Sequence, residues 1–161
     1  MTTKAAIINL AKGQGPTVSA VGDIYRVLAT GEQTGGAYAL CEARVLPGGG
    51  PPPHVHRRED ESFFILEGEI TFTLDGRKTV ARAGSFLQSP RHLPHAFKNE
   101  GSVAARMLIL TTPAGFEKFL AEFAQPVPSF DSPPLPVTEA DIQKLLAVAP
   151  KYGIEILPPP H

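Results

Sequence analysis

The chain has 161 residues, 15 Lys and Arg against 16 Asp and Glu for a net charge of −1, and 42% hydrophobic residues. That suits one folded domain with a sizeable core and excludes a disordered chain. With no basic face and no apolar run long enough to span a bilayer, neither nucleic acid nor a membrane is expected as a partner.

The first residues, "MTTKAAIINLAKGQG", hold a Lys and a short apolar patch but no long hydrophobic region or small-residue cleavage site. No signal peptide is read there, and residues 1–22 are expected to form an N-terminal arm. Residues 23–112 read as short strands broken by turn signals. "YRVLAT" ends at "GEQTGG", and "AYALCEARVL" ends at "PGGGPPP". "ESFFILE" runs to Gly68, and "EITFTLDGRKTVA" carries a hairpin signal at Asp75-Gly76. "GSFLQSP", "PHAFKN" and "AARMLILTT" follow. Strands at this spacing with no helical period between them predict an all-β sandwich or barrel. Cys41 is the sole cysteine, which rules out an internal disulfide and fits a reducing cytoplasm.

The pattern changes in residues 113–161, which are expected to be a helical extension. Phe116, Phe119, Leu120 and Phe123 fall on one helical stripe. Thr112 is placed to cap that helix, with Pro113 at its first position. "PVPSFDSPPLP" is a stiff Pro-rich connector. A second helix is expected to start at Thr138, bury Ile142, Leu145 and Leu146, and stop at Pro150. Both helices are expected to pack on the outside of the barrel or on a partner, with a lid as the weaker reading.

The stretch that carries chemistry is "GGGPPPHVHRREDESFFILEGE". On a strand, residues two apart share a face, so His54 and His56 aim two imidazoles at one point. A turn through "RRED" brings Glu61 back on the neighbouring strand, sharing a face with Phe63 and Ile65. Further on, "PHAF" puts His95 and Phe97 on one face. Rigidly held imidazoles and a carboxylate that leave coordination positions open suit a catalytic divalent metal. Spacing alone leaves a bland alternative open: a solvated His pair, a charged loop through Arg57, Arg58, Glu59 and Asp60, and a core histidine at 95.

The two segments together resemble the two motifs of the cupin superfamily. Gly48, His54, His56, Glu61 and Gly68 match the first motif throughout. Gly84, Pro90, His95 and Asn99 match the second, with His92 standing where the family usually has Gly. The resemblance implies a jelly-roll barrel, a double-stranded β-helix, with C-terminal helices behind it. It implies His54, His56, Glu61 and His95 as ligands of a divalent transition metal: Fe, Ni, Mn, Co, Cu or Zn. Asn99 is expected to be a structural hydrogen-bonder, and His92 an exposed turn residue, with a polar group projecting toward the pocket entrance as the weaker reading. The flanking sequence is similar to the single-domain cupins called quercetin 2,3-dioxygenase-like.

Three neutral imidazoles and one carboxylate around a divalent ion leave a net charge near +1, which favours an anionic oxygen ligand. Phe63, Ile65 and Phe97 are expected to line the pocket, with Tyr38, Phe72, Met107 and Ile109 as further candidates. The resulting expectation is a metal-dependent dioxygenase acting on a flavonol-like or other enolisable small molecule, with Glu61 as both ligand and base. The alternatives are a metal-dependent binding or sensing protein, and a metal-assisted isomerase or hydrolase. "SFFILE" is apolar on both faces, so its outer face needs cover, and a homodimer is expected.

Overall fold

Strict alternation fixes the barrel wall. Along one strand Ala105, Met107, Ile109 and Thr111 are buried, while Arg106, Leu108, Leu110 and Thr112 are only half so. That period of two is the signature of a strand with one face on a core. The computed structural model describes residues 5–158. Its strands are β1 (Thr17–Ala20), β2 (Asp23–Ala29), β3 (Ala39–Val45), β4 (His54–His56), β5 (Asp60–Glu67) and β6 (Glu69–Leu74). They continue as β7 (Arg77–Arg82), β8 (Phe86–Ser89), β9 (His95–Lys98), β10 (Ala105–Thr112), β11 (Gln125–Pro126) and β12 (Ile154–Ile156). Three helices join them: α1 (Gly31–Thr34), α2 (Phe116–Phe123) and α3 (Glu139–Val148).

The strands form two antiparallel sheets, a seven-stranded one in the order β11-β1-β2-β3-β10-β5-β8 and a five-stranded one in the order β12-β4-β9-β6-β7. This is the all-β double-stranded β-helix with C-terminal helices that the sequence predicts. Phe63 and Phe72, from opposite sheets, meet with ring centroids 4.9 Å apart, and Phe97 packs at 5.9 and 5.8 Å from them. Ile65, Ile70 and Met107 complete a fully buried plug between the sheets. No described helix is long and apolar enough to cross a membrane.

Part of the expected N-terminal arm is barrel. Thr17–Ala20 pairs with β2, closing a two-residue turn at Val21-Gly22 in which both residues have positive φ, 51° and 86°. A β-branched residue is rare in that conformation, so the turn was masked in sequence. His92 also has positive φ, 72°, as its place in the motif requires, and its N–H donates to the His56 carbonyl at 2.7 Å. Asn99 donates to Val45 and Val103 carbonyls and accepts from the Gly101 N–H, tying two loops together.

The C-terminal segment belts the barrel. Thr112 does not cap α2; it ends β10 opposite Asp60, and Gly115 is the N-cap. Glu117, buried, accepts from the Gly115 and Gly31 N–H groups at 2.8 Å each and so fixes where α2 begins. The connector then crosses the outer face of the larger sheet. There Phe130 lies under the guanidinium groups of Arg26, Arg44 and Arg106, and Glu42 pairs with Arg26 and Arg106. Thr138 caps α3 through a reciprocal box with Asp141. Leu145 and Val148 face inward, whereas Ile142 and Leu146 are exposed. A 3-10 turn (Ala149–Tyr152) leads into β12, which pairs with β4: Ile154 lies opposite His56 and Ile156 opposite His54.

Candidate metal centre

β4 is three residues long, and both its histidines point into the barrel and are buried. His95, the first residue of β9, lies directly opposite His54 in the same sheet. Glu61 comes from β5 in the other sheet, so the cluster sits at the seam between the two. His95 Nε2 is 2.7 Å and His56 Nε2 3.4 Å from Glu61 Oε2. One ligand atom from each of His54, His56, Glu61 and His95 can be chosen so that all lie within 4.8 Å of one another. Atoms each about 2.1 Å from a shared ion lie at most about 4 Å apart, so a small contraction completes the set.

The far side of every imidazole is occupied. His54 Nδ1 lies 2.8 Å from the Pro52 carbonyl, and His56 Nδ1 lies 3.2 Å from Glu59 Oε2. His95 Nδ1 lies 3.1 Å from Ser89 Oγ and 3.2 Å from the Leu93 carbonyl. These contacts favour the proton on Nδ1 and leave the Nε2 lone pairs for the centre. His56 Nε2 is buried with no hydrogen-bond partner, an orphan that an ion would satisfy.

Burial, then the neighbouring imidazoles of His95 and His56, push His54 down to about 3, so it is neutral and ready to ligate. For Glu61 burial opposes the charge, but His56, His95 and His54 together hold the carboxyl down at about 2. For His56 burial works against protonation, yet the carboxylates of Glu61 and Glu59 raise it above its ordinary value. Three imidazoles and a carboxylate, buried and sharing a focus, fit a divalent transition metal.

Above the cluster lies a pocket whose other walls are almost wholly apolar. It leaves about 50 Å³ of room for the centres of water-sized molecules, enough for a few waters at roughly 10–15 Å³ each. Of the residues named from sequence, Phe97 and Ile109 line it. Phe63, Ile65, Phe72 and Met107 do not; they share the inward face but sit deeper, where the barrel is filled solid. Tyr38 does not either; it precedes β3 and is exposed. The other walls include Ala20 and Val21, Tyr25 of β2, Pro51 and Pro52, and residues of the C-terminal belt: Phe116, Phe119, Leu120 and Phe123 of α2, Leu145 of α3, and Ile154 and Ile156 of β12. The belt therefore covers the barrel mouth, not just its flank.

Two polar residues went unread in sequence. Tyr25 is buried, and no hydrogen bond from its hydroxyl to a described residue exists; burial first, then Asp23 and Glu61, push its pKa well above the ordinary value of 10. Glu59, within the charged run "RRED", is as buried as the ligands. Its neighbours do behave as a charged loop, Asp60 pairing with Arg91 and Arg57 with Glu155.

A family model described as the cupin domain matches residues 41–111. The chain is 26% identical over 117 residues to a quercetin 2,3-dioxygenase of Bacillus subtilis (strain 168), covering 73% of this chain and 34% of that protein. It is 36% identical over 75 residues to germin-like protein subfamily 2 member 1 of Arabidopsis thaliana, covering 44% of this chain and 34% of that protein. The structure of KdgF from Halomonas sp. superposes with a TM-score of 0.61 at 16% identity, over 71% of this chain and 99% of that one. The chain spans between about a third and three-fifths of the length of the curated relatives it matches.

Proposed function

We propose, from the match of residues 41–111 to the cupin-domain model and from the site geometry, that this protein is a metal-dependent dioxygenase acting on a small, mostly apolar, enolisable molecule. The observation that carries the reading is the buried His54, His56, Glu61 and His95 cluster with an orphaned imidazole nitrogen, opening onto an apolar pocket. The similarity to a quercetin 2,3-dioxygenase supports oxygen chemistry over other uses of the fold.

A divalent metal on those four side chains would supply a Lewis acid for a deprotonated substrate oxygen. The chain's own residues set the rest. Glu61, ionised down to about 2, suits ligation; as a base it holds only a proton from a strongly acidified oxygen. Tyr25 stays protonated and is the one hydroxyl in the pocket, so it donates a hydrogen bond that orients a second substrate oxygen. Phe116, Phe119, Leu120 and Phe123 keep water out and receive the flat body of the substrate. A three-ring occupant needs more room than the few waters' worth the pocket offers, so these side chains must shift to admit it.

The experiment is oxygen consumption by the metal-reconstituted protein across a panel of flavonols, diketones and catechols. Turnover in air that stops under nitrogen is expected. No uptake across the panel overturns the dioxygenase. Product formed under nitrogen points to an isomerase or hydrolase, and tight binding without product points to a sensor. We also propose a homodimer through the outer face of β5 and β8, where Phe64 and Phe86 pair side by side and are 41% and 65% exposed. Sedimentation that shows only a 17.2 kDa species would remove the dimer.

A further inference from the structure

We propose that Glu59 is a positioning residue for the metal centre, its carboxylate locking the His56 imidazole with Nδ1–H outward and Nε2 toward the ion. The inference rests on the metal reading above. The contact is 3.2 Å between groups that are both almost completely shielded, with side-chain exposures of 1% for His56 and 4% for Glu59.

The other two imidazoles are held differently. His54 is oriented by a backbone carbonyl and His95 by a hydroxyl and a carbonyl, all neutral. Only His56 is backed by an anion. A carboxylate behind an imidazole fixes its tautomer and makes the ligating nitrogen a stronger donor.

Glu59 lacks any other reason to be there. Among the described residues it forms no ion pair with a Lys or Arg; Arg91 feels its charge but is spent on Asp60. A buried carboxylate without a cation is costly, and a divalent ion held by His56 would offset that cost across the imidazole. The chain also makes room for Glu59. A Cβ at Gly115, which has φ 150°, would come within 2.9 Å of Glu59 Oε1, so the glycine that starts α2 is also the wall behind this carboxylate.

The test uses Glu59→Gln and Glu59→Ala in the full chain, with Co(II) as the probe. Affinity is read by competition with a chelating dye, and coordination by the visible absorption of the bound cobalt. Glu59→Ala is expected to weaken Co(II) binding about 10- to 100-fold. Glu59→Gln keeps an acceptor without the charge; it is expected to lose less, about severalfold on the same scale, and to shift the cobalt spectrum. A purely structural role would lower the unfolding temperature of the metal-free protein and leave affinity and spectrum alone. If Glu59→Ala does not fold, Glu59→Gln carries the test. Unchanged affinity and spectrum in the variants, beside an unmodified protein that binds Co(II), overturn the role of Glu59 and spare the metal site. An unmodified protein that takes up no Co(II) overturns both.

Discussion

The barrel mouth and the C-terminal belt face each other across one pocket and bring opposite chemistry to it. The mouth offers His54, His56, Glu61 and His95, each on a strand, with the three imidazoles buttressed from behind. The belt offers phenyl rings and aliphatic chains on short helices, with Phe119 stacked on Phe123 at 4.5 Å. Donors that must meet within tenths of an ångström sit where backbone hydrogen bonds fix them on both sides. Surfaces that need only exclude water and fit an apolar shape sit on elements held by side-chain packing.

That division can be broken. The largest effect is expected from Glu61→Ala or His56→Ala, which should drop metal content, measured by elemental analysis of purified protein, to background. Metal retained at full occupancy would deny the mouth its role. Next, Phe119→Ala in the belt should cost about 3 kcal/mol in urea unfolding, as for other buried aromatic truncations, while Co(II) affinity stays within about twofold. A parallel collapse of affinity would show that the two regions act as one.

A smaller effect sharpens the barrel's side. Asp23 is fully buried, and its Oδ1 accepts from the Leu46 N–H just before the glycines that lead into β4. Burial, outweighing its backbone hydrogen bonds and Arg44, pushes it up to about 7. The folded state thus holds a proton that the unfolded chain releases near 4. Its contribution is complete at low pH and is lost as pH rises through about 7. The Asp23 share of stability should fall by about 2 kcal/mol from pH 5 to pH 8, read as the difference between the parent and Asp23→Asn profiles, because His54, held neutral by burial, works in the opposite direction over the same range. Smallest of all, Thr138→Ala removes half of the α3 capping box and should cost about 1 kcal/mol by thermal unfolding, with metal binding unmoved.

How much of this was legible depends on how far the partners lie apart in sequence. His54 and His56 are bound to share a face because a strand alternates, and Glu61 follows within one turn. His95 joins them through the spacing of a second motif. The apolar stripe of α2 was equally plain, but a stripe says only that one face is buried, not against what. Nothing in "TPAGFEKFLAEF" tells that the helix covers the mouth and not the flank; the pairing of β12 with β4 decides that. Phe63 and Met107 were assigned the right face and the wrong depth, since alternation carries no coordinate along the barrel axis. Glu59 was hidden among four consecutive charges, Arg57 to Asp60, of which it alone turns inward.

The pairing of β12 with β4 also limits how the polypeptide can be shortened. A fragment cut to the family-matched segment, residues 41–111, would keep every ligand yet strip β4 of one neighbour. The row of amide and carbonyl groups along Val55 would then lie open at the rim of the five-stranded sheet. Such a rim recruits strands from other molecules. A trimmed protein would be expected to clump through the very strand that presents its histidines.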